Sequence, residues 1–425
     1  MSTQERVEFL KKFDPEIAAL LEDEQRKQHD TIGLIASENI ASPLSVCLEG
    51  SIFTNKNTEG YPGKRYVGGT ENEDKVELIA IDRLKKLFGC GHANLQSGNA
   101  TIANSSVFMG LLKPGDTVLS MSLSDGGHLS HGARFHFSGK FYNIISYGVN
   151  KDNEQIDMDE VRRMALEHRP KMIICGGSAY PRLIDYKAFR EIADEIGAYL
   201  WVDAAHIIGM IAGGAIPSPV PYADVVTFST QKTLRGPRGC GVILCKEELK
   251  DKIDRGVFPG MQGGPKADMI AARAVLFKEC MTKEYKEYQQ QVLKNARALA
   301  KGCLNQGLSL VSGGTDTHLA LVKVTDFVDS GREAELLLES VGIITNKNLI
   351  PFDPLSSNLT SGIRIGSPLM TTRGAKEQEM EYIGNLIGRT LKNKNNQEEL
   401  DKIKQEVVAI TAKYPMFAEE WNVAN

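Results

Sequence analysis

The β-branched run Asp224-Val225-Val226-Thr227-Phe228-Ser229 ends in Thr230-Gln231-Lys232 and passes at once into Thr233-Leu234-Arg235-Gly236-Pro237-Arg238-Gly239. A lysine at the end of a buried strand, held by a Gly/Pro-punctuated turn, suits Schiff-base chemistry. Its amine must be desolvated enough to lose a proton and fixed enough to meet a carbonyl. A solvated lysine after a strand is the commoner case, so the surroundings decide. Polar groups follow other apolar runs in the same way. Val202-Asp203-Ala204-Ala205-His206 follows 198–202, Gly176-Gly177-Ser178 follows 171–175, and Asp125-Gly126-Gly127-His128-Leu129-Ser130-His131 follows 117–123. Open α/β sheets bind ligands at the carboxyl ends of their strands. Four such ends would gather a lysine, an aspartate, three histidines and several hydroxyls on one edge.

That set fits a pocket for pyridoxal 5'-phosphate. The cofactor needs a lysine for its imine and a carboxylate that keeps its pyridine nitrogen protonated. Asp203 lies 29 residues before Lys232, one crossover and one strand away. A flat side chain must cover the ring, and His128 is available. The phosphate needs backbone N–H groups and hydroxyls at a helix start. Ser97-Gly98-Asn99-Ala100-Thr101, ahead of the helical run 102–112, can supply them. Taken singly, Asp203 could be a helix cap, and His131 and His206 core or turn residues. Taken together they describe one pocket.

The elements that must position these groups read as an α/β domain. Candidate strands are 117–123, 140–147, 171–175, 198–202, 223–230 and 241–245, with helical patterns at 158–168 and 187–196 between them. Near-continuously apolar strands separated by helices imply a largely parallel sheet covered on both faces. Before it come a helical arm over 4–29, a loop-rich stretch over 31–70 and a helix over 71–88. After it, 266–302 reads as one long helix or two. Strands at 308–311, 318–324 and 361–366 and helices at 332–341, 374–391 and 396–413 then make an α+β domain. The expected division is an arm over 1–33, a large domain over 34–282 and a C-terminal domain over 283–425.

At 425 residues the chain can bury more than one core. Its formal charge of -4 gives no basic field for nucleic acid or an acidic membrane surface. No apolar run is long enough to span a bilayer. The polar start of the chain resembles neither a secretory signal nor a transit peptide. The seven cysteines are scattered, without CxxC spacing. That predicts a cytoplasmic protein with neither a metal site nor a disulfide framework.

Several stretches carry a resemblance to a known family. They are Ala36-Ser37-Glu38-Asn39, Glu59-Gly60-Tyr61-Pro62-Gly63-Lys64-Arg65-Tyr66, Gly126 to Gly132, Asp203 with His206, Lys232 to Gly239, Phe258 to Pro265, Asn346-Lys347-Asn348 and Thr360-Ser361-Gly362-Ile363-Arg364. The chain resembles serine hydroxymethyltransferase over nearly its whole length. The resemblance implies an aspartate aminotransferase-like fold (fold type I) with a mostly parallel seven-stranded sheet and an α+β C-terminal domain. By that resemblance Lys232 would carry the Schiff base, Asp203 would pair with the pyridine nitrogen and His128 would stack on the ring. Ser178 and His206 would contact the phenolic oxygen and the substrate region. Gly98, Asn99, Ala100 and Thr101 would hold the phosphate, with Asn57 and Gly263 reaching in from a partner subunit. Arg364 would clamp the substrate carboxylate, Glu59 would act as acid/base at the substrate hydroxyl, and Ser37 and Tyr66 would touch substrate. Tetrahydrofolate, if used, would lie along Leu123, Gly127, Leu129, Asn348 and Phe258, together with Glu59 and Tyr66. The family's architecture implies a homodimer or a tetramer of such dimers.

Four positions depart from the family pattern. Gln231 stands where the family has histidine, Asn57 where it has tyrosine, and Val67 where it has a second tyrosine. The stretch Gly98 to Ile102 replaces His-Ser-Gly-Ser-Gln. The expected activity is retro-aldol cleavage of a serine-like β-hydroxy-α-amino acid, with one-carbon transfer to tetrahydrofolate. A folate-independent threonine aldolase or transaldolase, or an α-methylserine hydroxymethyltransferase, is the alternative that Val67 and Gln231 favour. A cofactor-binding regulatory protein without turnover is the alternative of a different class, and Lys232, Asp203, Glu59 and Arg364 speak against it.

Overall fold

The computed structural model describes residues 3–416. The chain opens with two helices, α1 (Thr3–Phe13) and α2 (Pro15–Asp30). They break at Asp14-Pro15, because proline has no N–H to extend α1, and the Asp14 carboxylate caps α2 by accepting from the Ile17 N–H at 3.1 Å. Inside the loop-rich stretch 31–70, a short antiparallel pair joins Gly60–Tyr61 to Lys64–Arg65. Helix α3 (Glu71–Phe88) has acidic residues in its first turn and lysines in its last, matching the helix dipole, and Gly89 closes it in the left-handed region.

The central sheet contains β1 (His92–Ser97), β2 (Thr117–Met121), β3 (Asn143–Tyr147), β4 (Met172–Cys175), β5 (Tyr199–Asp203), β6 (Val225–Ser229) and β7 (Gly241–Cys245). Their spatial order is β1-β7-β6-β5-β4-β2-β3. Only β7 runs antiparallel to its neighbours, so this is the mostly parallel seven-stranded sheet expected. Strands β4, β6 and β7 are buried at every position, as a sheet covered on both faces requires. Helix α4 (Ala100–Leu111) follows β1, and the short α5 (Ile208–Ala212) follows β5.

Two expectations need correction. β1 was not foreseen, because His92-Ala93-Asn94-Leu95-Gln96-Ser97 alternates polar and apolar residues. All six are nevertheless buried. The polar members find partners inside: Asn94 donates to Asp254 at 2.8 Å and Gln96 to Glu77 at 2.7 Å. The strand expected over 140–147 begins only at Asn143. Phe137–Phe141 is a helical turn, which His136 caps by accepting from the Ser138 N–H at 3.2 Å.

The run 266–302 resolves into two helices, α6 (Ala267–Glu279) and α7 (Lys283–Asn305), with Thr282 capping the second. A second sheet contains β8 (Ser309–Leu310), β9 (Leu319–Lys323), β10 (Asn346–Asn348) and β11 (Gly362–Gly366), all antiparallel in the order β8-β9-β11-β10. Helix α7 belongs to both cores. Tyr285, Val292 and Leu293 pack with the central sheet, and Ala298, Leu299 and Cys303 with the second. No helix among the described residues is long and apolar enough to cross a membrane. All seven cysteines are free thiols, five of them buried.

The turn after β6 is held from every side. Gly236 donates its N–H to Thr230 O at 2.7 Å, and the Thr230 hydroxyl donates to Pro237 O at 3.0 Å. The Thr233 hydroxyl donates to His206 O at 2.8 Å, and Gln289 of α7 donates to Thr233 O at 2.7 Å. Asn39 donates to the carbonyl of Lys232 itself at 3.1 Å. From α6, the fully buried Arg273 donates to Pro237 O at 2.7 Å, to Arg238 O, and to the Glu49 carboxylate at 2.7 Å. Pro237 O keeps the Thr230 hydroxyl, so replacing Arg273 leaves one of these backbone acceptors, Arg238 O, without its donor, a loss of about 1–3 kcal/mol. Arg273→Met is therefore expected to lower the unfolding free energy by about 1–3 kcal/mol in urea denaturation. A variant as stable as the parent would show that the clamp is redundant.

Candidate active site

Asp203 is the last residue of β5 and only 7% exposed. Its Oδ2 accepts from His131 Nε2 and from Asn104 Nδ2, both at 2.8 Å, and its Oδ1 accepts from the Ala205 N–H at 3.0 Å. Burial alone would raise its pKa. The bond and charge of His131, with the charges of His128 and Lys232, outweigh that and hold the carboxyl well below the usual range. Three acceptor positions are filled, which leaves Oδ1 able to take one more hydrogen bond. Asn104 sits in α4 and also donates to Ser130 Oγ at 2.8 Å, while Ser130 Oγ lies 2.7 Å from His128 Nδ1. The carboxylate, His131, Asn104, Ser130 and His128 thus form one network. His128, His131 and Asp203 place ligand-type atoms within 4.8 Å of one another, and the His131–Asp203 bond already uses one such atom from each.

Lys232 is partly buried at the head of its turn. Burial lowers its pKa; Asp203 opposes this, Arg364 and Arg238 add to it, and the result is about 8. Burial, assisted by the charge of His131, pushes His128 down to about 4. His206 lies well below its ordinary value through burial and then the charges of Lys232 and Arg364. Its Nδ1 lies 3.3 Å from Nε2 of His318.

Arg364 stands on β11. It donates to Ser178 O at 2.7 Å and to Asn346 Oδ1 at 3.3 Å. Among the described residues no carboxylate pairs with it. Burial alone lowers it to about 10. A desolvated guanidinium with only neutral partners is suited to a ligand carboxylate. Ser37 follows Ala36, whose carbonyl is 3.2 Å from His318 Nε2, so the 36–39 segment lies against the same cluster.

The remaining expected residues form a second patch. Asn57 Oδ1 accepts from the Glu59 N–H at 3.1 Å. A Cβ built on Gly263 would lie 3.3 Å from Glu59 Oε1. The rings of Tyr66 and Phe258 meet edge to face at 5.5 Å. Among the described residues no hydrogen bond or ion pair joins Glu59 or Tyr66 to Lys232, Asp203, His128, His206 or Arg364. The patch does touch the expected phosphate loop: the Gly98 N–H donates to Gln262 Oε1 at 3.0 Å, and Gln262 donates to Gln96 O at 2.7 Å. A cavity of about 480 Å³ lies there, lined among others by Gly98, Arg238, Gln262 and Lys266. Of the expected folate positions, Leu123 and Leu129 are exposed, Gly127 is buried, and Asn348 is partly buried on β10.

Asn104, His318 and Gln262 were not foreseen. Asn104 alone left a trace, as a polar residue inside the apolar run of α4. The donor set fits pyridoxal phosphate: an amine near its neutral form, a buried carboxylate with one acceptor position left, and a helix start at Ala100. There Asn99 Oδ1 takes the Ile102 N–H at 2.9 Å, and among the described residues no side chain caps the earlier N–H groups of α4. A family model for serine hydroxymethyltransferase matches residues 10–387. The chain belongs to the serine hydroxymethyltransferase family, whose members are pyridoxal-phosphate-dependent transferases.

Proposed function

We propose that this enzyme cleaves a serine-like β-hydroxy-α-amino acid and passes its one-carbon unit to tetrahydrofolate. The observation that carries this reading is Arg364, a desolvated guanidinium without an anionic partner among the described residues, in the same cluster as Lys232 and Asp203. Pyridoxal phosphate, when bound, supplies a sink for the electron pair left on the α-carbon as its bond breaks. The protein's residues do the rest. Lys232 Nζ, neutral in part near pH 8, is the covalent attachment point and gives and takes protons there. Asp203 Oδ1 would hold a proton on the pyridine nitrogen, His128 would cover the ring, and Ser178 and His206 would serve the phenolic oxygen. The first N–H groups of α4, with Gly98, Asn99 and the Thr101 hydroxyl, take the phosphate.

Arg364 orients the amino acid by its carboxylate, with Ser37 as a further contact. Glu59 moves the proton of the substrate hydroxyl, with Tyr66 beside it. Because among the described residues the Glu59 patch shares no hydrogen bond with Lys232, we assign it, with Asn57 and Gly263, to the pocket of a second copy in a homodimer. Leu123, Gly127, Leu129, Asn348 and Phe258 are the proposed folate contacts. The division at 33 and 282 is proposed on the two cores that α7 bridges.

A second reading is supported by Gln231, whose partly buried amide cannot carry a proton, and by Val67, smaller and drier than a tyrosine. It is a folate-independent threonine aldolase or transaldolase, or an α-methylserine hydroxymethyltransferase.

Serine, α-methylserine and threonine, each supplied with and without tetrahydrofolate, separate the readings. Folate-dependent turnover of serine is expected to dominate. Faster acetaldehyde release from threonine without folate would replace the lead with the second reading. Within the lead reading, the double substitution Val67→Tyr and Gln231→His is expected to raise the serine preference over α-methylserine by about 10-fold in kcat/KM, the scale of one methyl group in a pocket. The pKa of Lys232 gives a pH test. Only the neutral amine attacks an aldehyde, so the rate at which the cofactor-free enzyme takes up pyridoxal phosphate should rise with pH and level off above about 8. Lys232→Ala should show no covalent adduct at any pH after borohydride reduction.

A further inference from the structure

Two imidazoles meet beside the site. His206 lies three residues past Asp203, and His318 leads into β9. Their ring centroids are 5.4 Å apart with planes 27° from parallel. Both are buried, at 4% and 0% exposure. His318 Nε2 lies 3.3 Å from His206 Nδ1 and 3.2 Å from the carbonyl oxygen of Ala36, while His318 Nδ1 has no hydrogen-bond partner among the described residues.

The proton positions follow from which atoms can donate. A carbonyl oxygen only accepts. Were the proton of neutral His318 on Nδ1, it would face no acceptor, and the bare Nε2 would oppose the lone pairs of Ala36 O. The proton therefore belongs on Nε2, which donates toward Ala36 O and His206 Nδ1. That makes Nδ1 of His206 an acceptor, and a neutral imidazole has one proton to place, so His206 carries it on Nε2. Both rings stay neutral: burial, with the cationic neighbours Lys232 and Arg364, holds His318 at about 3 and His206 well below its ordinary value. The backbone of His206 is fixed as well, since its carbonyl accepts from Thr233 Oγ1 at 2.8 Å.

We infer that His318 is a positioning residue that fixes the tautomer of His206, so that His206 keeps its Nε2–H as a donor for the Lys232 pocket. The inference rests on the proposed function for its purpose: an N–H donor suits the phenolic oxygen of the cofactor, and a bare ring nitrogen would repel it.

The test is the tautomer itself. Full-length enzyme carrying ¹⁵N-histidine and saturated with pyridoxal phosphate is examined by two-bond ¹H–¹⁵N spectra, with His206 assigned from the signal lost in His206→Asn. The expected result is a bare Nδ1 and a protonated Nε2. A protonated Nδ1 in the unmodified enzyme overturns the inference and requires no variant of His318. His318→Phe keeps a flat ring but removes the donor. It should move the His206 proton to Nδ1 and lower kcat for serine about tenfold, the effect of one neutral hydrogen bond, with KM changed less than about twofold. His318→Gln, whose amide can donate from nearly the same place, should keep both the tautomer and kcat. An unchanged tautomer in His318→Phe also overturns the inference. The spectra are repeated before cofactor is added. A tautomer already fixed there supports the role of His318, while absence of a cofactor absorbance band in the loaded enzyme would count against the proposed function alone.

Discussion

A negative charge held inside the protein is the interaction on which the rest of the site depends. Removing a carboxylate from water costs several kcal/mol unless donors replace the solvent. Asp203 recovers that cost through His131, Asn104 and the Ala205 N–H. Those donors come from the turn after β2, from α4 and from the turn after β5, so the ends of these strands must align. Glycine makes the alignment possible. A Cβ on Gly176 would lie 2.1 Å from Asp203 O, and one on Gly177 would lie 2.2 Å from Gly126 O. The loops that carry Ser178, His128 and Asp203 approach more closely than any side chain would permit.

Lys232 poses the opposite problem, since its chemistry needs an amine that can be neutral. Burial drives it that way, the Asp203 charge resists, and the nearby cations Arg364 and Arg238 tip the balance to about 8. Among the described residues, the Asp203 carboxylate is the one that counters the charge of Lys232, and none pairs with Arg364. An amino-acid carboxylate at Arg364 and a phosphate at the start of α4 would supply the missing negative charge. Electrostatics and the proposed ligands therefore point the same way.

The parts legible in the sequence share one property. Lys232, Asp203 and His128 each stand at the end of an apolar run, and the rule that ligands gather at strand ends needs no knowledge of which strands are neighbours. The supporting residues lack that property. Asn104 reaches Asp203 across 99 positions, and His318 reaches His206 across 112. Their partners are set by tertiary packing, and nothing local marks them. β1 stayed hidden for a related reason. Its polar residues look solvent-facing until Asp254 and Glu77, distant in the chain, are brought to meet them. The extent of α3 was fully readable because its signals, apolar spacing, end charges and a closing glycine, are all local.

The Glu59 patch has its own buried ion pair. Arg65 donates from Nη1 to the carbonyls of Thr58 and Gly60, at 2.8 and 2.7 Å, which bracket Glu59, and from Nη2 to the buried Glu77 at 2.6 Å. The backbone on either side of Glu59 is thus held without any help from Lys232, in keeping with the proposed assignment of this patch to a second copy. This setting also sorts the four departures from the family pattern. Asn57 accepts from the Glu59 N–H, and Asn99 accepts from the Ile102 N–H at the start of α4. Both are short amides turned onto their own backbone, a role tyrosine could not fill at position 57. At position 102 it is the backbone N–H that the Asn99 cap uses. Val67 and Gln231 have no such local role. Val67 offers only apolar surface, and the Gln231 amide bonds nothing among the described residues, which is why the second proposed reading turns on these two positions.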